Sequence, residues 1–320
     1  MQDSVSVRVR GNRDRSVSRQ TALARPAECR GVGLHSGAQI QMTLRPAAAD
    51  SGVRFVRTDV PAGTGEIRAG LSQVIDNRLS TMLGNRHGVS VSTIEHLMAA
   101  FAGCGVDNVS VELDGPEVPV MDGSAAPFVR LIERAEIAIQ DAPRRAIKVL
   151  KPVAVGDGTS MITLAPAETF SIDFSIDFAA PAIGHQALSV ELVNGTFAEH
   201  IAAARTFGFA EDVERLRAAG LARGGSLDNA IVIDGARILN RDGLRFEDEF
   251  VRHKILDCIG DLYLAEAPII ARVTARRSGH ATNHDLLRAL FADPQAWTYC
   301  DQASHTAHAR QAEAPQNAVA

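Results

Sequence analysis

Two side chains that could bind a metal ion, His253 and Asp257, lie four residues apart. They belong to a stretch, residues 244–264, whose pattern predicts one long helix. At about 3.6 residues per turn, both side chains would project from the same helix face, close enough to hold one ion. This is the spacing logic of the zinc-hydrolase H-E-x-x-H helix, with a carboxylate as the second ligand. Taken alone the pair is weak evidence, because such a pair is more often a solvated or salt-bridged face.

An internal repeat strengthens the metal hypothesis. Two parts of the chain share a histidine, a glycine seven residues later, and then an apolar, β-branched stretch. The two sets are His96, Gly103 and residues 107–113, and His253, Gly260 and residues 268–274. We therefore expect two copies of one helix-then-strand module. The first helix is predicted to open with a capping box at Ser92-Thr93-Ile94-Glu95, where a hydroxyl precedes a carboxylate.

Packing of the two modules would assemble a metal site. Face to face, they would bring His96, His253 and Asp257 together as three ligands from two domains. Three protein ligands leave the fourth zinc position open for water, which is the arrangement of a catalytic site.

Composition is typical of a soluble enzyme. With 320 residues, 46% of them hydrophobic and 22% charged, the chain can bury a sizeable core and is long enough for two domains. A net charge of −5 gives no indication of nucleic-acid binding. No run reaches the roughly 18 apolar residues that span a bilayer, and the first twenty residues lack an apolar signal core. We expect a cytoplasmic, monomeric protein without an integral membrane segment.

Cysteine usage agrees with a reducing compartment. The four cysteines are scattered and form no Cys-x-x-Cys pair, so they are predicted to be small buried hydrophobes. They are Cys29, Cys104, Cys258 and Cys300.

The chain divides into two halves between flanking tails. Residues 1–20, rich in Arg and Ser, are predicted to be a disordered tail, and residues 301–320 a flexible end in which His305 and His308 are surface residues. The pattern breaks around Asp141-Ala142-Pro143, which places the domain boundary between residues 21–143 and 144–300. Strands are predicted at 39–44, 53–57, 147–155, 161–164 and 170–178. Helices are predicted at 127–137, 212–219, 250–264 and 283–291.

Six segments carry a resemblance to a known family. They are GVGLHSG (31–37), STIEHL (92–97), PVMDGSAAPF (119–128), ARTFGF (204–209), DGLRF (242–246) continuing to Asp261, and SGHA (278–281). Together they resemble the zinc-dependent UDP-3-O-acyl-N-acetylglucosamine deacetylases, which catalyse the committed step of lipid A synthesis in Gram-negative bacteria. The similarity covers about residues 21 to 300 in unbroken order.

The resemblance implies a fold and a metal site. The family fold is α+β, with two similar domains, each of two helices packed on a mixed β-sheet, and the helices sandwiched between the sheets. Its active site lies at the domain junction. The resemblance assigns His96, His253 and Asp257 as ligands of one catalytic Zn²⁺, with Fe²⁺ as an alternative in vivo.

The resemblance also implies catalytic roles. Glu95 would be the general base, since the helix turns its carboxylate about 100° from His96 toward the metal-bound water; the alternative is a helix-capping carboxylate. His280, on a loop at a strand end, would face the leaving amine or the developing oxyanion. Asp261 would accept a hydrogen bond from His280 and favour its protonated form. Thr206 would donate to the tetrahedral oxyanion.

Three further residues are assigned to substrate binding by the resemblance. Lys254, beside a ligand, would contact polar groups of the substrate, and Phe207 would lie against its nucleotide end, although a core phenylalanine is an alternative. Residues 208–236 match an insert that forms a hydrophobic passage for the acyl chain, and any small subdomain needs similar apolar residues. Position 227 is Leu where relatives often carry an aromatic residue, which puts the acyl-length preference in doubt.

Two other functions fit the same residues. One is a zinc amidohydrolase acting on a different N-acyl substrate, because ligands and base alone define metal-assisted amide hydrolysis and nothing more. The other is a non-catalytic zinc-binding protein, against which stand the open fourth ligand position and the adjacent Glu95. For the deacetylase, the expected partner is UDP-3-O-acyl-N-acetylglucosamine and no nucleic acid.

Overall fold

The structure, a computed structural model, describes residues 19–192 and 195–301, together with the backbone of residues 6–7. Its helices are α1 (Glu95–Cys104), α2 (Ala126–Ala135), α3 (Thr196–His200), α4 (Ala210–Ala218), α5 (Glu249–Leu262) and α6 (His280–Ala292), with short 3₁₀ turns at Leu71–Gln73 and Tyr263–Ala265. Its strands are β1 (Ser6–Val7), β2 (Arg19–Leu23), β3 (Ala27–Val32), β4 (Gln39–Pro46), β5 (Val53–Arg57), β6 (Glu66–Arg68), β7 (Val74–Asp76), β8 (Met82–Gly84), β9 (Ser90–Val91), β10 (Val109–Leu113), β11 (Ile137–Pro143), β12 (Arg145–Val149), β13 (Val153–Gly156), β14 (Met161–Ala165), β15 (Ser171–Asp177), β16 (His185–Glu191), β17 (Phe207–Phe209), β18 (Ile231–Asp234), β19 (Arg237–Ile238), β20 (Ile269–Ile270), β21 (Arg272–Arg276) and β22 (Trp297–Asp301).

Two mixed sheets have the same topology. The first has the order β3-β4-β10-β5-β6, in which two antiparallel hairpins flank β10. The second has the order β13-β14-β21-β15-β16, in which two hairpins flank β21, and β1 extends its edge. In each sheet the central strand is antiparallel to one hairpin and parallel to the other. This equivalence confirms the predicted repeat of a helix followed by a strand, since α1 precedes β10 and α5 precedes β21.

The helices pack between these sheets. Helices α1 and α5 pack on each other, α2 contacts β3 of the first sheet, and α5 and α6 contact strands of the second. Residues 95–101 of α1 are all buried, as expected of a helix enclosed on every side. Helix α2 instead buries one stripe, Phe128, Val129, Leu131, Ile132 and Ala135, at the spacing of an amphipathic helix. The mixed α+β fold class is as predicted.

We propose that the chain divides between residues 21–143 and 144–300, because the first sheet with α1 and α2 precedes this point and the second sheet with α5 and α6 follows it. The expected pattern break at Asp141-Ala142-Pro143 is wrong in detail. These residues end strand β11, which pairs with β2, and a single residue separates it from β12.

Other element predictions need correction at their ends. Helix α5 begins at Glu249 and not at residue 244, because Arg245 donates its backbone N–H to the Glu249 carboxylate, 2.6 Å away, within a non-helical turn. The strand predicted over 147–155 is two strands, β12 and β13, in different sheets. Arg19 and Gln20 belong to β2, so the predicted tail is wrong there. The remaining predictions for residues 1–18 and 302–320, including His305 and His308, lie outside the described residues apart from β1.

The predicted capping box before α1 is wrong. The N-cap residue is Ile94, and no side chain among the described residues caps the helix. Thr93, at φ +57°, donates its hydroxyl to Glu117 Oε1 at 2.9 Å, and Ser92 donates to Pro116 O at 3.3 Å. The Glu95 carboxylate accepts the backbone N–H of Thr81 at 3.1 Å. Tertiary contacts therefore take every group that the box would have used.

The α1–α5 contact depends on Gly260. A Cβ at this position would lie 2.0 Å from the backbone oxygen of Glu95 and 3.1 Å from the backbone nitrogen of Ala99. Real side chains do not approach backbone atoms so closely, so only glycine permits this separation of the helices. The glycine of the first repeat, Gly103, faces the ring of Phe197 instead.

We expect Gly260→Ala to destabilise the protein by about 1 to 3 kcal/mol, because the added methyl overpacks the helix contact. Helix propensity alone would give the opposite sign, since alanine favours a helix by about 1 kcal/mol over glycine. Urea unfolding measures the difference. Gly208→Ala is the control, because no described atom lies within 4 Å of a Cβ placed there. A Gly260→Ala variant as stable as the parent would contradict this account of the helix contact.

Candidate metal centre and active site

Three buried side chains converge where α1 and α5 meet. The ligand atoms of His96, His253 and Asp257 lie within 4.8 Å of one another. Asp257 Oδ1 is 3.3 Å from His253 Nε2 and 3.6 Å from His96 Nε2. Two atoms each about 2.1 Å from a tetrahedral ion are about 3.4 Å apart, so this spacing suits zinc. Among the described residues these three form the one such group, and the predicted convergence is confirmed.

The hydrogen bonding of the group leaves its inner atoms free for a metal. His253 Nδ1 donates to the backbone oxygen of Ala204 at 3.1 Å, so Nε2 presents its lone pair to the other two residues. Asp257 Oδ1 is buried and has no hydrogen-bond partner among the described residues. A buried polar atom without a partner is costly, and a metal ion bound there would supply the missing interaction.

Charge in the group is arranged for a cation. Burial lowers the pKa of His253 to about 4, so this ring is neutral at physiological pH. Burial opposes ionisation of Asp257, but neighbouring positive charge holds its pKa well below the usual range. Charge on His253 or on Lys254 would have this effect. Because His253 is neutral, we assign this effect to Lys254, whose ammonium donates to Asp257 Oδ2 at 2.8 Å. Lys254, predicted to contact substrate, is therefore engaged with a ligand.

Glu95 lies beside the ligand group, and among the described residues it neither caps a helix nor forms an ion pair with Lys or Arg. It is 4% exposed, and its Oε2 accepts the N–H of Thr81. Burial raises the pKa of Glu95 above its usual value, against the opposing influence of His280 and His96. A carboxylate that holds protons more tightly than usual suits a general base working near neutral pH.

His280 is the first residue of α6, directly after the turn that follows β21, and so is not on an extended loop. Its Nδ1 donates to Asp261 Oδ2 at 2.8 Å, and its Nε2 lies 3.9 Å from Glu95 Oε1. Burial disfavours the charged ring, but Asp261 and then Glu95 and Asp257 raise the pKa of His280 to about 9. His280 is therefore an imidazolium at neutral pH, with Nε2–H directed toward the site. The predicted bond to Asp261 is confirmed.

The position of Thr206 is set by its own backbone bond to Gly123 and by the ion pair of its neighbour Arg205. Its N–H donates to Gly123 O at 2.8 Å, and the adjacent Arg205 pairs with the fully buried Glu249 at 2.8 Å. Gly123, at φ +84°, has no room for a side chain, since a Cβ would lie 2.2 Å from Asn229 O. The backbone of Thr206 is therefore held by contacts from two other segments of the chain.

The proposed substrate-binding residues separate into two environments. Phe207 is half-buried and makes edge contacts with Phe250 and His253, with ring centroids 5.0 Å and 6.2 Å apart. Phe207 therefore lies beside the ligand group. In the insert, helix α4 buries none of its residues, and Leu227 is 46% exposed. Ile231, by contrast, is fully buried. The insert thus presents apolar side chains that its own fold does not enclose.

Four polar residues around Asp261 were missed from the sequence: Asn77, Thr81, Asn283 and His284. Thr81 connects Glu95 with Asp261, since its N–H donates to the Glu95 carboxylate and its hydroxyl donates to Asp261 Oδ1 at 2.6 Å. One available signal was the spacing of His280 and His284, four residues apart on one helix face.

In the part of the chain that the structure describes, no helix combines the length and apolarity that crossing a membrane requires.

Comparisons with known proteins identify the family of the chain. Residues 20–292 match the family described as UDP-3-O-acyl N-acetylglycosamine deacetylase. A protein of Phenylobacterium zucineum named UDP-3-O-acyl-N-acetylglucosamine deacetylase is 52% identical over 87% of this chain and 95% of its own length. Proteins of the same name from Myxococcus xanthus and Vibrio parahaemolyticus are 53% and 49% identical, over 87% and 88% of this chain and 88% and 92% of their own lengths. The chain therefore belongs to the UDP-3-O-acyl N-acetylglycosamine deacetylase family.

Proposed function

We propose that this chain is a zinc-dependent hydrolase that removes the acetyl group from UDP-3-O-acyl-N-acetylglucosamine, releasing acetate and the UDP-3-O-acyl-glucosamine. The observation that carries the proposal is the unpartnered Asp257 Oδ1 facing two imidazole nitrogens, next to a buried carboxylate and an imidazolium. The substrate is the one in the names of relatives about half identical over most of the chain. The same assignment places the reaction in lipid A synthesis.

The donor set favours zinc as the ion. Two imidazoles and one carboxylate are common zinc ligands, and three protein ligands are the number found in catalytic zinc sites. When bound at His96, His253 and Asp257, zinc would supply Lewis-acid chemistry to the amide carbonyl and to water. Lys254 would hold Asp257 in its ionised, metal-binding form through the bond to Oδ2.

Two different residues of the chain carry out the two proton transfers. Glu95 removes a proton from the attacking water while the water oxygen bonds to the amide carbon. Thr206 donates a hydrogen bond to the former carbonyl oxygen, which gains negative charge. As the carbon–nitrogen bond breaks, His280 gives its Nε2 proton to the departing amine. Asp261 keeps His280 charged until that transfer, because the two side chains share a buried hydrogen bond of 2.8 Å.

The insert is the proposed binding region for the acyl chain. Its half-buried and exposed apolar residues are Phe209, at the end of β17, and Leu216, Leu221 and Leu227, between β17 and β18. Phe207, at the start of β17, contacts His253. A passage that runs from this surface to the ligand group would place the acyl chain on apolar side chains and the acetamide at the metal.

Removal of a metal ligand should abolish both binding and turnover. We expect His253→Ala or Asp257→Ala to lose zinc and acetate release together, because each supplies one of three protein bonds. Lys254→Ala is the matched control on the same helix and should retain zinc, with an affinity lowered about tenfold through loss of the bond to Asp257. Zinc content after dialysis and acetate release are the measurements. Stoichiometric zinc and normal turnover in His253→Ala would refute the ligand assignment.

The plot of kcat against pH should be bell-shaped. Because His280 must be charged and its pKa is about 9, activity should fall as the pH rises through about 9. Because Glu95 must be ionised and its pKa is raised, the acid limb should lie above the usual carboxyl range. Glu95→Ala should lower kcat by about 10² to 10⁴ while zinc stays bound.

Variants of His280 and Asp261 test whether His280 is the group that titrates in the alkaline limb of the pH profile. His280→Ala should remove or displace the alkaline limb, and Asp261→Ala should shift it to lower pH, because the imidazolium loses its anionic partner. An alkaline limb that is the same in both variants would mean that another group titrates there, and His280 would lose its role as acid.

Acyl-chain length should control kcat/KM. Each methylene buried in the insert should contribute about 0.8 kcal/mol, so a substrate shorter by four methylenes should react about two orders of magnitude more slowly. Leu227→Asp should erase most of this discrimination, whereas Leu150→Asp, at another exposed leucine (48% exposed), should leave it intact. Equal kcat/KM for short and long chains would favour an amidohydrolase of different specificity.

A further inference from the structure

Asp261 is the centre of a buried polar cluster behind His280, and the other members of this cluster have no part in the steps above. Asp261 is fully buried, and two polar groups lie next to each of its carboxylate oxygens. Oδ2 accepts from His280 Nδ1 and Asn283 Nδ2, both at 2.8 Å. Oδ1 accepts from the Thr81 hydroxyl at 2.6 Å and faces His284 Nε2 at 3.3 Å. Four polar groups around one carboxylate fix its orientation more tightly than a single hydrogen bond to the catalytic imidazole would.

Asn77 determines which nitrogen of His284 carries hydrogen. The Asn77 side-chain amide donates to His284 Nδ1 at 3.2 Å, so Nδ1 is the acceptor and the hydrogen of the neutral ring is on Nε2. Nε2 lies 3.3 Å from Asp261 Oδ1 and 3.4 Å from the Thr81 hydroxyl oxygen, which itself donates to Asp261, so the hydrogen is directed at this pair of oxygens. His284 is 0% exposed, so water does not compete for either nitrogen.

We propose that His284 is a positioning residue: fixed by Asn77 as the tautomer with hydrogen on Nε2, it holds the Asp261 carboxylate in the orientation that His280 requires. The inference rests on the proposed function in that His280 is the acid of the reaction. His284 itself touches no reacting atom, and its effect passes through Asp261.

The direction of that effect follows from charge. A hydrogen bond to Oδ1 draws negative charge away from Oδ2, so His284 weakens the hold of Asp261 on the His280 proton and makes His280 a stronger acid. The other groups facing His280 are Glu95 from α1 and Asp257 from α5, and those facing Asp261 along α5 are Lys254 and Cys258. None of these groups changes when His284 is replaced.

Replacement of His284 should therefore raise the pKa of His280 and slow the reaction. In the zinc-loaded full chain, we expect His284→Phe to move the His280 titration, followed by ring ¹⁵N NMR, upward by about 0.5 to 1 pH unit. The alkaline limb should move with it, and kcat should fall about tenfold at unchanged KM. His284→Gln keeps an amide donor toward Asp261 and should restore most of both. Leu290→Ala, also fully buried on α6, is the control for lost packing and should leave the titration in place.

A second variant tests the proposal from the partially exposed side of the cluster, where folding is less at risk. In Asn77→Asp, a carboxylate facing Nδ1 favours hydrogen on both ring nitrogens, so the His280 titration should move downward, opposite to His284→Phe. Arg78→Ala, on the same turn and exposed, should have no such effect. A His280 titration unchanged in folded Asn77→Asp and His284→Phe overturns the proposal. A wild-type chain that binds zinc but releases no acetate would refute the proposed function, and the ring titration would still decide on this coupling.

Discussion

The close contact of two helix backbones at Gly260 is the constraint on which the active site depends. The proposed metal ligands come from both helices, His96 from α1 and His253 with Asp257 from α5. A helix separation larger by the width of a methyl group would pull the His96 nitrogen from the other two ligand atoms, which now lie within 4.8 Å. Gly260 packs against the backbone of Glu95, so the same contact fixes the position of the proposed base. One glycine thus sets both the spacing of the proposed metal ligands and the position of Glu95.

Two buried carboxylates at this contact have opposite properties because their neighbours differ. Asp261 meets donors at both oxygens, and its pKa lies far below the usual range, because His280 and His284 outweigh the effect of burial. Glu95 has one backbone donor, at 3.1 Å, and burial raises its pKa. We propose that the first orients the His280 imidazolium and that the second exchanges a proton. Thr81 bonds to both and keeps them at a fixed separation.

Much of the site could be predicted from sequence because its residues follow local spacing. His253 and Asp257 are four residues apart on one helix, and the repeated distance from histidine to glycine indicated the second module. Strand β5 was predicted over its observed residues, since alternation of polar and apolar side chains is a local signal. The start of α1 was not, because Thr93 and Glu117 meet only in the tertiary fold. Asn77 and His284 were missed for the same reason, being 207 residues apart. The roles of the site residues in the reaction stay predictions.

The topology of the two sheets also determines the order in which the chain can assemble. In each half the central strand is the last of its five in sequence, yet it lies between two hairpins made earlier. Until β10 or β21 is inserted, those hairpins expose unpaired inner edges, and the parallel side of the insertion joins residues far apart in sequence. The helix that precedes each central strand carries the proposed metal ligands. We therefore expect each half of the chain to close its sheet and to position its proposed ligands in the same late step, and a sheet that lacks its central strand to be the state most prone to aggregation.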